Sequence, residues 1–417
     1  MRAQGPARFG SRAALLAAST VLVVAVATCA KPSGVATVGD EPSLRVALVA
    51  GGSEARIGGT GTVGATVGGS VQFRISRGEE VRVTPDGRAI QVSGAASGRY
   101  ERVTFVSLDR SRFVTVGGKP YRGVVEVYVS GGGVTAVNEV STEAYLAGVI
   151  NAEMGRRARG EEAALEAQAI VSRSYALKTR GKYASNGYDL RATVSDQAYA
   201  GVSSESEQGW QAVRATTGLV LTYDGEIITA FFSSTCGFST ASPEEVFRFG
   251  QRLPYLRPVS DAHAGGHYCD ISPHYRWTVE WDGEELTRIL RESVPSVLGV
   301  DRAAIDQLSD VRVQRTGPSG RVAEVRIEVG RGEIPVFGPD LRSVFRQPDG
   351  RALGATGFQL AVDKSGGRVA RVRATGAGWG HGVGLCQWGA VGRARAGQDA
   401  RTIVSTYFPE TRLERLY

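Results

Sequence analysis

The amino-acid sequence predicts an α+β fold that is mostly antiparallel and β-rich, with one main packed helix at about residues 161–180 and a few short helices. Short runs of alternating apolar and polar residues, separated by turns that contain glycine or proline, recur along most of the chain. They indicate antiparallel strands. Because strands and helices mix without regular alternation, a doubly wound parallel sheet is not expected.

The strand-like runs are densest in residues 44–137, which are predicted to form an N-terminal β-rich subdomain. Its runs are SLRVALVA, GSVQFRIS, EEVRVTP, RAIQVSG, RVTFVSL, RFVTVGG and GVVEVYVS. Further runs follow later in the chain: LVLTYDG, EIITAFFSST, YRWTVEW, VRVQRT, VAEVRIEVG and GRVARVRATG.

The main helix is predicted from the segment EEAALEAQAIVSRSYALKTR at residues 161–180. It contains good helix formers, with acids at its start and bases at its end, as the helix dipole prefers. Gly181 ends it. Shorter helices are predicted near residues 205–215, 284–291 and 401–408.

Composition excludes several classes of protein. The chain has 417 residues, of which 42% are hydrophobic, and four cysteines, so neither a disordered chain nor a disulfide-dense scaffold is expected. Three arginines lie before residue 31 in a stretch without acids, which leaves only +4 of the formal +7 charge on the rest. No basic run with interleaved aromatic residues is present, so nucleic acid is not an expected partner.

The N-terminus has the layout of a secretory signal over residues 1–30. Arginines precede an apolar stretch at 13–27 that is short for a membrane span. The sequence VATC ends at Cys29 and resembles a lipobox, so Cys29 is the candidate lipidation site; cleavage after Ala27 and an uncleaved anchor are the alternatives. Residues 31–43 read as a tether. We therefore expect an extracytoplasmic protein, in the periplasm or at the cell surface, held at the membrane through Cys29.

Three later segments carry the chemistry. They are NEVSTEAYLAGVINAEMGRRARGEEAALEAQAIVSRSYALKTR at 138–180, FFSSTCGFSTASPEEVF at 231–247 and GWGHGVGLCQWGA at 378–390. Together with YRGVVEVY and PYL, they resemble the stage II sporulation protein D / amidase enhancer LytB (SpoIID/LytB) family over about residues 44–417. The resemblance implies that residues 138–417 form the family's catalytic core with a glycan cleft.

The resemblance also implies a function at the cell wall. Better-studied family members are lytic transglycosylases, which cleave peptidoglycan glycan strands that lack stem peptides and leave anhydromuramyl ends. Others are described as enhancers of a separate N-acetylmuramoyl-L-alanine amidase. The expected partners are therefore glycan strands and a cell-wall amidase, and the chemistry requires no cofactor.

Glu153 is the candidate catalytic residue. An acid in the AEM motif, taken alone, is explained by the favourable position of a carboxylate before a helix. The resemblance instead aligns it with the family's catalytic glutamate. A single carboxyl group acting first as acid and then as base must be protonated near neutral pH, which requires apolar surroundings or a neighbouring negative charge.

Polar residues of the main helix are candidate substrate contacts. At 100° per residue, Gln168, Ser172 and Tyr175 share one face, whereas Arg173 lies about 140° from Gln168. The resemblance implies that Arg173 orients Glu153 or binds substrate. The alternative is a structural arginine paired with a buried carboxylate.

Further candidate glycan contacts come from the other two motifs. Aromatic faces and hydrogen-bonding side chains suit sugar rings, which favours Trp379, His381 and Gln387. Core packing is the alternative explanation of the tryptophan. Ser233 and Ser234 are additional candidates.

Cys236, Cys269 and Cys386 each lie beside a motif. Three thiolates and one imidazole would complete a tetrahedral zinc site, and the resemblance includes members with a Cys/His zinc site. His267 and His381 are the candidate fourth ligands, and His267 is preferred. The alternative is a Cys236–Cys269 disulfide with a buried Cys386.

Overall fold

A computed structural model of the protein describes residues 39–330 and 332–417. The predicted signal segment, the candidate lipidation site Cys29 and most of the tether lie outside these residues. Within the described part of the chain, no helix is both long and apolar enough to cross a membrane. The described residues are 25% helical and 39% strand, with several antiparallel sheets, which confirms the α+β prediction.

Twelve strands precede the first helix of the described residues. They are β1 (Ser43–Gly52), β2 (Ala55–Gly59), β3 (Val63–Val67), β4 (Ser70–Ile75), β5 (Glu80–Asp86), β6 (Ala89–Gly94), β7 (Gly98–Tyr100), β8 (Arg102–Ser107), β9 (Val114–Val116), β10 (Lys119–Tyr121), β11 (Val124–Ser130) and β12 (Gly133–Ser141). In β5, for example, Val81 and Val83 are buried while Arg82 is exposed, the alternation expected of a strand with one solvated face.

These strands form two sheets. One has six strands in the order β10-β9-β2-β5-β6-β7, and the other has seven, β13-β1-β12-β11-β8-β3-β4, where β13 is Leu190–Arg191. β12 crosses the predicted boundary at residues 137/138, and residues on both sides of it share one hydrophobic core. The two-part division of the chain stays a prediction.

The described residues contain eight α-helices. They are α1 (Thr142–Met154), α2 (Glu162–Lys178), α3 (Glu207–Ala215), α4 (Pro243–Val246), α5 (Gly283–Leu298), α6 (Gly338–Val344), α7 (Gln387–Arg395) and α8 (Ala400–Tyr407). α2 is the predicted main helix, and it contacts α1, α3, α7 and α8. The predicted helices near 205–215, 284–291 and 401–408 correspond to α3, α5 and α8.

Sequence reasoning did not predict α1 and α7. α1 is buried on most of its faces, so it lacks the two-sided pattern by which an amphipathic helix is recognised. α7 contains Gly389 and Gly392, which disfavour a helix. Both glycines are explained by tertiary packing, because a Cβ at Gly392 would overlap the Tyr268 carbonyl group and one at Gly389 would overlap the Tyr407 hydroxyl group.

The remaining strands form smaller sheets. They are β14 (Leu219–Tyr223), β15 (Glu226–Ile227), β16 (Phe232–Ser233), β17 (Ala262–His263), β18 (Gly266–His267), β19 (Arg276–Asp282), β20 (Leu308–Thr316), β21 (Val322–Val329), β22 (Gly332–Phe337), β23 (Gly357–Ser365), β24 (Arg368–Ala377), β25 (Leu385–Cys386) and β26 (Arg412–Arg415). β19-β24-β23 and β20-β21-β22, with α5 and α6, surround a second hydrophobic core. The parallel pair β16–β25 places the second sequence motif beside the third.

Candidate functional site

The site is built around Glu153, which lies in the last turn of α1 and not before a helix as its motif had suggested. Its side chain is partly buried. The Ala198 backbone N–H donates a 2.5 Å hydrogen bond to Glu153 Oε1. The side chain of Gln387, the first residue of α7, is a second hydrogen-bond partner. Two amide groups from distant parts of the chain therefore hold one carboxyl group.

The environment of Glu153 favours its protonated form. Burial raises the pKa of Glu153 above its ordinary value, and this effect exceeds the lowering by the hydrogen bonds from Ala198 and Gln387. The end of α1 acts in the same direction, because the C-terminal end of a helix carries partial negative charge. A carboxyl group with a raised pKa is suited to donate a proton.

Gln387 connects Glu153 to the main helix. Gln387 Nε2 lies 3.4 Å from Gln168 Oε1, and Gln168 Nε2 donates to Ser172 Oγ at 2.9 Å. The predicted shared face of Gln168 and Ser172 is confirmed. Gln168 is fully buried, which corrects its prediction as a substrate contact: it orients Gln387 from behind. Gln387 is the member of this chain that contacts Glu153.

A loop that sequence reasoning missed completes the surroundings of Glu153. Residues 196–198 supply the Ala198 N–H to Glu153, and Gln197 Oε1 accepts a hydrogen bond from the Tyr145 hydroxyl group at 2.9 Å. The available signal was the pair Asp196–Gln197, two polar residues in the short segment SDQAYAG, which ends at Gly201.

Tyr175 contacts the same loop. Its hydroxyl group lies 3.2 Å from Asp196 Oδ1, which also forms a 2.6 Å ion pair with Lys182 Nζ. The other Asp196 oxygen accepts the Arg191 N–H at 2.9 Å. The predicted site residue Tyr175 is therefore near the loop that holds Glu153, and Asp196, the acid of that loop, is fully occupied by hydrogen bonds.

Arg173 is a structural residue, so its prediction as a Glu153-orienting or substrate-binding residue is wrong. Its guanidinium group is fully buried and forms a bidentate pair with Glu143, with N–O distances of 2.9 and 2.6 Å. Glu143 lies in the first turn of α1, ten residues before Glu153 and hence about 15 Å away along the helix. The stated alternative, an arginine paired with a buried carboxylate, is what the structure contains.

His381 and Ser233 stabilise the third motif from inside. Ser233 is buried, and its Oγ accepts the Gly382 N–H at 3.1 Å. His381 Nδ1 accepts the Val383 N–H at 3.0 Å, and its ring packs near Phe247. Burial, assisted by the nearby Arg342 charge, lowers the pKa of His381 to about 4, so the ring is neutral at pH 7.

Trp379 lies apart from Glu153, whereas Ser234 lies closer to it. Trp379 stacks on His274 with ring centroids 4.7 Å apart, and no contact among the described residues joins Trp379, His381 or Ser233 to Glu153. Ser234 is closer, because its carbonyl oxygen accepts the N–H of Trp388, the residue after Gln387. Of the glycan contacts predicted from the second and third motifs, the structure places Gln387 against Glu153. It places Ser234 against Trp388, the residue that follows Gln387.

The three predicted cysteines meet, and the fourth residue of their cluster is Asp261 and not the predicted His267. Cys236, Cys269 and Cys386 are buried and converge with Asp261, so that one donor atom from each lies within 4.8 Å of the others. His267 is not part of this group; its Nδ1 hydrogen-bonds the Tyr275 hydroxyl group at 2.8 Å.

The alternative disulfide is not formed. Cys236 Sγ and Cys269 Sγ are 3.7 Å apart, and all three thiols are free. A disulfide would need about 2.05 Å. The distance instead matches the edge of about 3.8 Å that a tetrahedral zinc site with Zn–S bonds of about 2.3 Å would have. Three thiols and a carboxylate are donors that zinc accepts, so this set fits the ion.

Comparisons with known proteins identify the class. A family model described as stage II sporulation protein matches residues 130–223, which include α1, α2 and the 196–198 loop, and a domain of unknown function (DUF8618) matches residues 266–384. An uncharacterized protein of Brachyspira hyodysenteriae is 30% identical over 70% of this chain and 72% of its own length.

Two relatives with descriptive names support the same family. Stage II sporulation protein D of Bacillus amyloliquefaciens is 25% identical over 66% of this chain and 74% of its own length. The amidase enhancer of Bacillus subtilis is 28% identical over 60% of this chain, and the match covers only 38% of the enhancer. The chain belongs to the SpoIID/LytB family, as the sequence motifs predicted.

Replacing Arg173 tests its structural role. We expect Arg173→Leu to lower the free energy of unfolding by about 3–5 kcal/mol, because it leaves the largely buried Glu143 carboxylate without its cationic partner. Urea unfolding measures the change. The exposed Arg180, just beyond α2, is the matched control, and Arg180→Leu should stay within about 0.5 kcal/mol of the wild type. Equal effects of the two substitutions would contradict the assignment.

Proposed function

We propose that this protein is a lytic transglycosylase that cleaves peptidoglycan glycan strands lacking stem peptides and leaves anhydromuramyl ends. The observation that carries the proposal is the environment of the Glu153 carboxyl group. This group is partly buried, its pKa is raised by that burial, and it is held by the Ala198 N–H and Gln387. Membership of the SpoIID/LytB family supports a cell-wall role.

One carboxyl group is sufficient for this reaction. Protonated Glu153 donates its proton to the glycosidic oxygen as the bond between that oxygen and the muramic acid C1 breaks. The Glu153 carboxylate then accepts the proton of the muramic acid 6-hydroxyl group, whose oxygen forms a bond to C1 and closes the anhydro ring. The proton donor is restored, no water is consumed, and the leaving sugar receives the proton.

The neighbourhood of Glu153 supports a single-acid reaction. Hydrolysis of a glycosidic bond usually requires a second carboxylate as base or nucleophile. Asp196, two residues before the Ala198 that binds Glu153, is committed to Lys182, Tyr175 and the Arg191 N–H. Both of its oxygens are occupied, so it is poorly placed to activate water or attack the sugar.

The second candidate function is a cell-wall-binding enhancer of an N-acetylmuramoyl-L-alanine amidase. The observation that favours it is the similarity to the protein named amidase enhancer. Both functions place glycan strands at the same family core. Both also require export, which is supported by the signal-like sequence of residues 1–30. They differ in whether Glu153 transfers a proton.

We also propose that Cys236, Cys269, Cys386 and Asp261 hold a structural zinc ion. Zinc bound by four protein ligands is typical of structural sites. Two buried guanidinium groups support an anionic cluster here. Arg393 lies 3.5 Å from Asp261 Oδ1, and the fully buried Arg321, which donates to the Cys236 carbonyl oxygen at 2.7 Å, has two nitrogen atoms without a hydrogen-bond partner.

The position of this cluster gives the ion its role. Cys386 is the N-cap of α7 and directly precedes Gln387. Zinc would cross-link the start of α7 to two other segments of the chain and so restrain Gln387 against Glu153. Its contribution is to stability and to the orientation of that side chain, and the proton transfers remain those of Glu153.

Replacing Glu153 separates the two functions. We expect Glu153→Gln to abolish release of anhydromuramyl products from stem-peptide-free glycan, because the amide keeps the shape but cannot donate and accept the proton. Mass spectrometry of the released glycan fragments measures this. Glu207→Gln, on the exposed surface of α3, is the control and should retain activity. Binding of wild-type protein without any anhydromuramyl product would favour the enhancer function.

The pH dependence follows from the raised pKa of Glu153. Since the protonated form is the active one, kcat/KM should fall as pH rises through this pKa, with a midpoint above the ordinary value of about 4.3. The Gln387 hydrogen bond lowers the pKa, so Gln387→Leu should move the midpoint to higher pH. A midpoint at or below the ordinary value, or one that Gln387→Leu does not move, would contradict the role of Glu153.

Zinc content tests the metal proposal. We expect about one zinc ion per chain by elemental mass spectrometry of the purified protein, and loss of that zinc in Cys386→Ser and Asp261→Asn because each removes a ligand. His267→Ala should retain it. Chelation should lower the melting temperature of the wild type. Absence of metal, or a pair of oxidised cysteines detected by thiol titration, would contradict the site.

A further inference from the structure

Arg157 lies four residues after Glu153 and beside the Glu153 site. Its guanidinium carbon is 4.8 Å from the ring centroid of Trp388. Trp388 is partly exposed and directly follows Gln387, which contacts Glu153. The loop after α1 and the start of α7 therefore place a cation and an aromatic ring next to the proposed proton donor.

Arg157 has no anionic partner in the described part of the chain. Its Nε is buried and makes no hydrogen bond. The carboxylate that acts on it electrostatically is Glu161, but both Glu161 oxygens are taken, one by Arg395 at 2.6 Å and the other by the Ala158 N–H at 3.0 Å. A buried guanidinium N–H without an acceptor is costly unless something else binds it.

The proposed substrate carries a matching anion. A muramic acid residue without a stem peptide ends in a free lactyl carboxylate, whereas in a stem-bearing residue that carboxyl group is an uncharged amide. A guanidinium group pairs with a carboxylate through two parallel hydrogen bonds and not with an amide in that way. Trp388, on the same side, offers an aromatic face for a sugar ring.

We propose that Arg157, stacked on Trp388, binds the lactyl carboxylate of muramic acid and gives the site its selectivity for glycan strands without stem peptides. This inference rests on the proposed function for its ligand, but it concerns binding and not cleavage. Arg156, the preceding residue, is exposed and makes no ion pair or hydrogen bond with a described residue, so it serves as a matched cation.

The test uses the full chain carrying Glu153→Gln, so that strands are bound and not cleaved. Two probes are compared by calorimetric titration: stem-peptide-free glycan strands, and the same strands with their lactyl carboxylates converted to N-methylamides. We expect amidation of the strands to weaken binding about tenfold or more. Adding Arg157→Gln should weaken binding of the unmodified strands to the level of the amidated ones and remove the difference between the two probes.

The control variants keep the result interpretable. Arg156→Gln should preserve the full difference between the two probes, and circular dichroism should show that Arg157→Gln is folded. If amidation weakens binding equally with and without Arg157, or not at all, the inference is overturned. Because the readout is binding, absence of anhydromuramyl products from the wild type would overturn the proposed reaction without deciding the role of Arg157.

Discussion

The buried ion pair between Arg173 and Glu143 is the interaction on which the arrangement of the helices depends. It joins the middle of α2 to the first turn of α1, and Arg173 also donates to the Leu219 carbonyl oxygen at the start of β14. Glu143 in turn accepts hydrogen bonds from the Gly218 N–H and the hydroxyl group of Tyr417. Because a buried charge must keep its partners, the first turn of α1 is held against the middle of α2.

Glu153 lies at the opposite end of α1, where α7 and the 196–198 loop reach it. Burial and the helix C-terminus both disfavour a charged carboxylate, while the amide donors from Ala198 and Gln387 keep it hydrogen-bonded. The cysteine cluster stands directly behind Gln387, since Cys386 caps α7. Cys386, a member of the cysteine cluster, and Gln387, which contacts Glu153, are thus adjacent in sequence but have separate partners.

The local sequence pattern was enough to predict most strands and α2, because apolar–polar alternation and helix propensity act over a few residues. It was also enough to separate Arg173 from Gln168 on α2, since helical geometry is regular. It was not enough to predict α1, which lacks a two-sided pattern, or α7, which contains glycines. Nor did it predict Asp261, since a carboxylate in a loop carries no spacing signal. His267 was chosen because it stands two residues from Cys269, yet its side chain bonds to Tyr275.

The sequence by itself determined the family and the α+β class, because these follow from motifs and from short-range periodicity, and the family resemblance predicted Glu153 as the central acid. Only the tertiary structure decided which polar residues are partners: Gln387 and the Ala198 N–H at Glu153, Glu143 at Arg173, and Asp261 at the three thiols. Most of these contacts join segments that are far apart along the chain, from 30 residues for Arg173 and Glu143 to more than 200 for Glu153 and Gln387, whereas Asp261 and Cys269 are only 8 residues apart. Their geometry depends on how the helices and sheets pack, which no local pattern encodes.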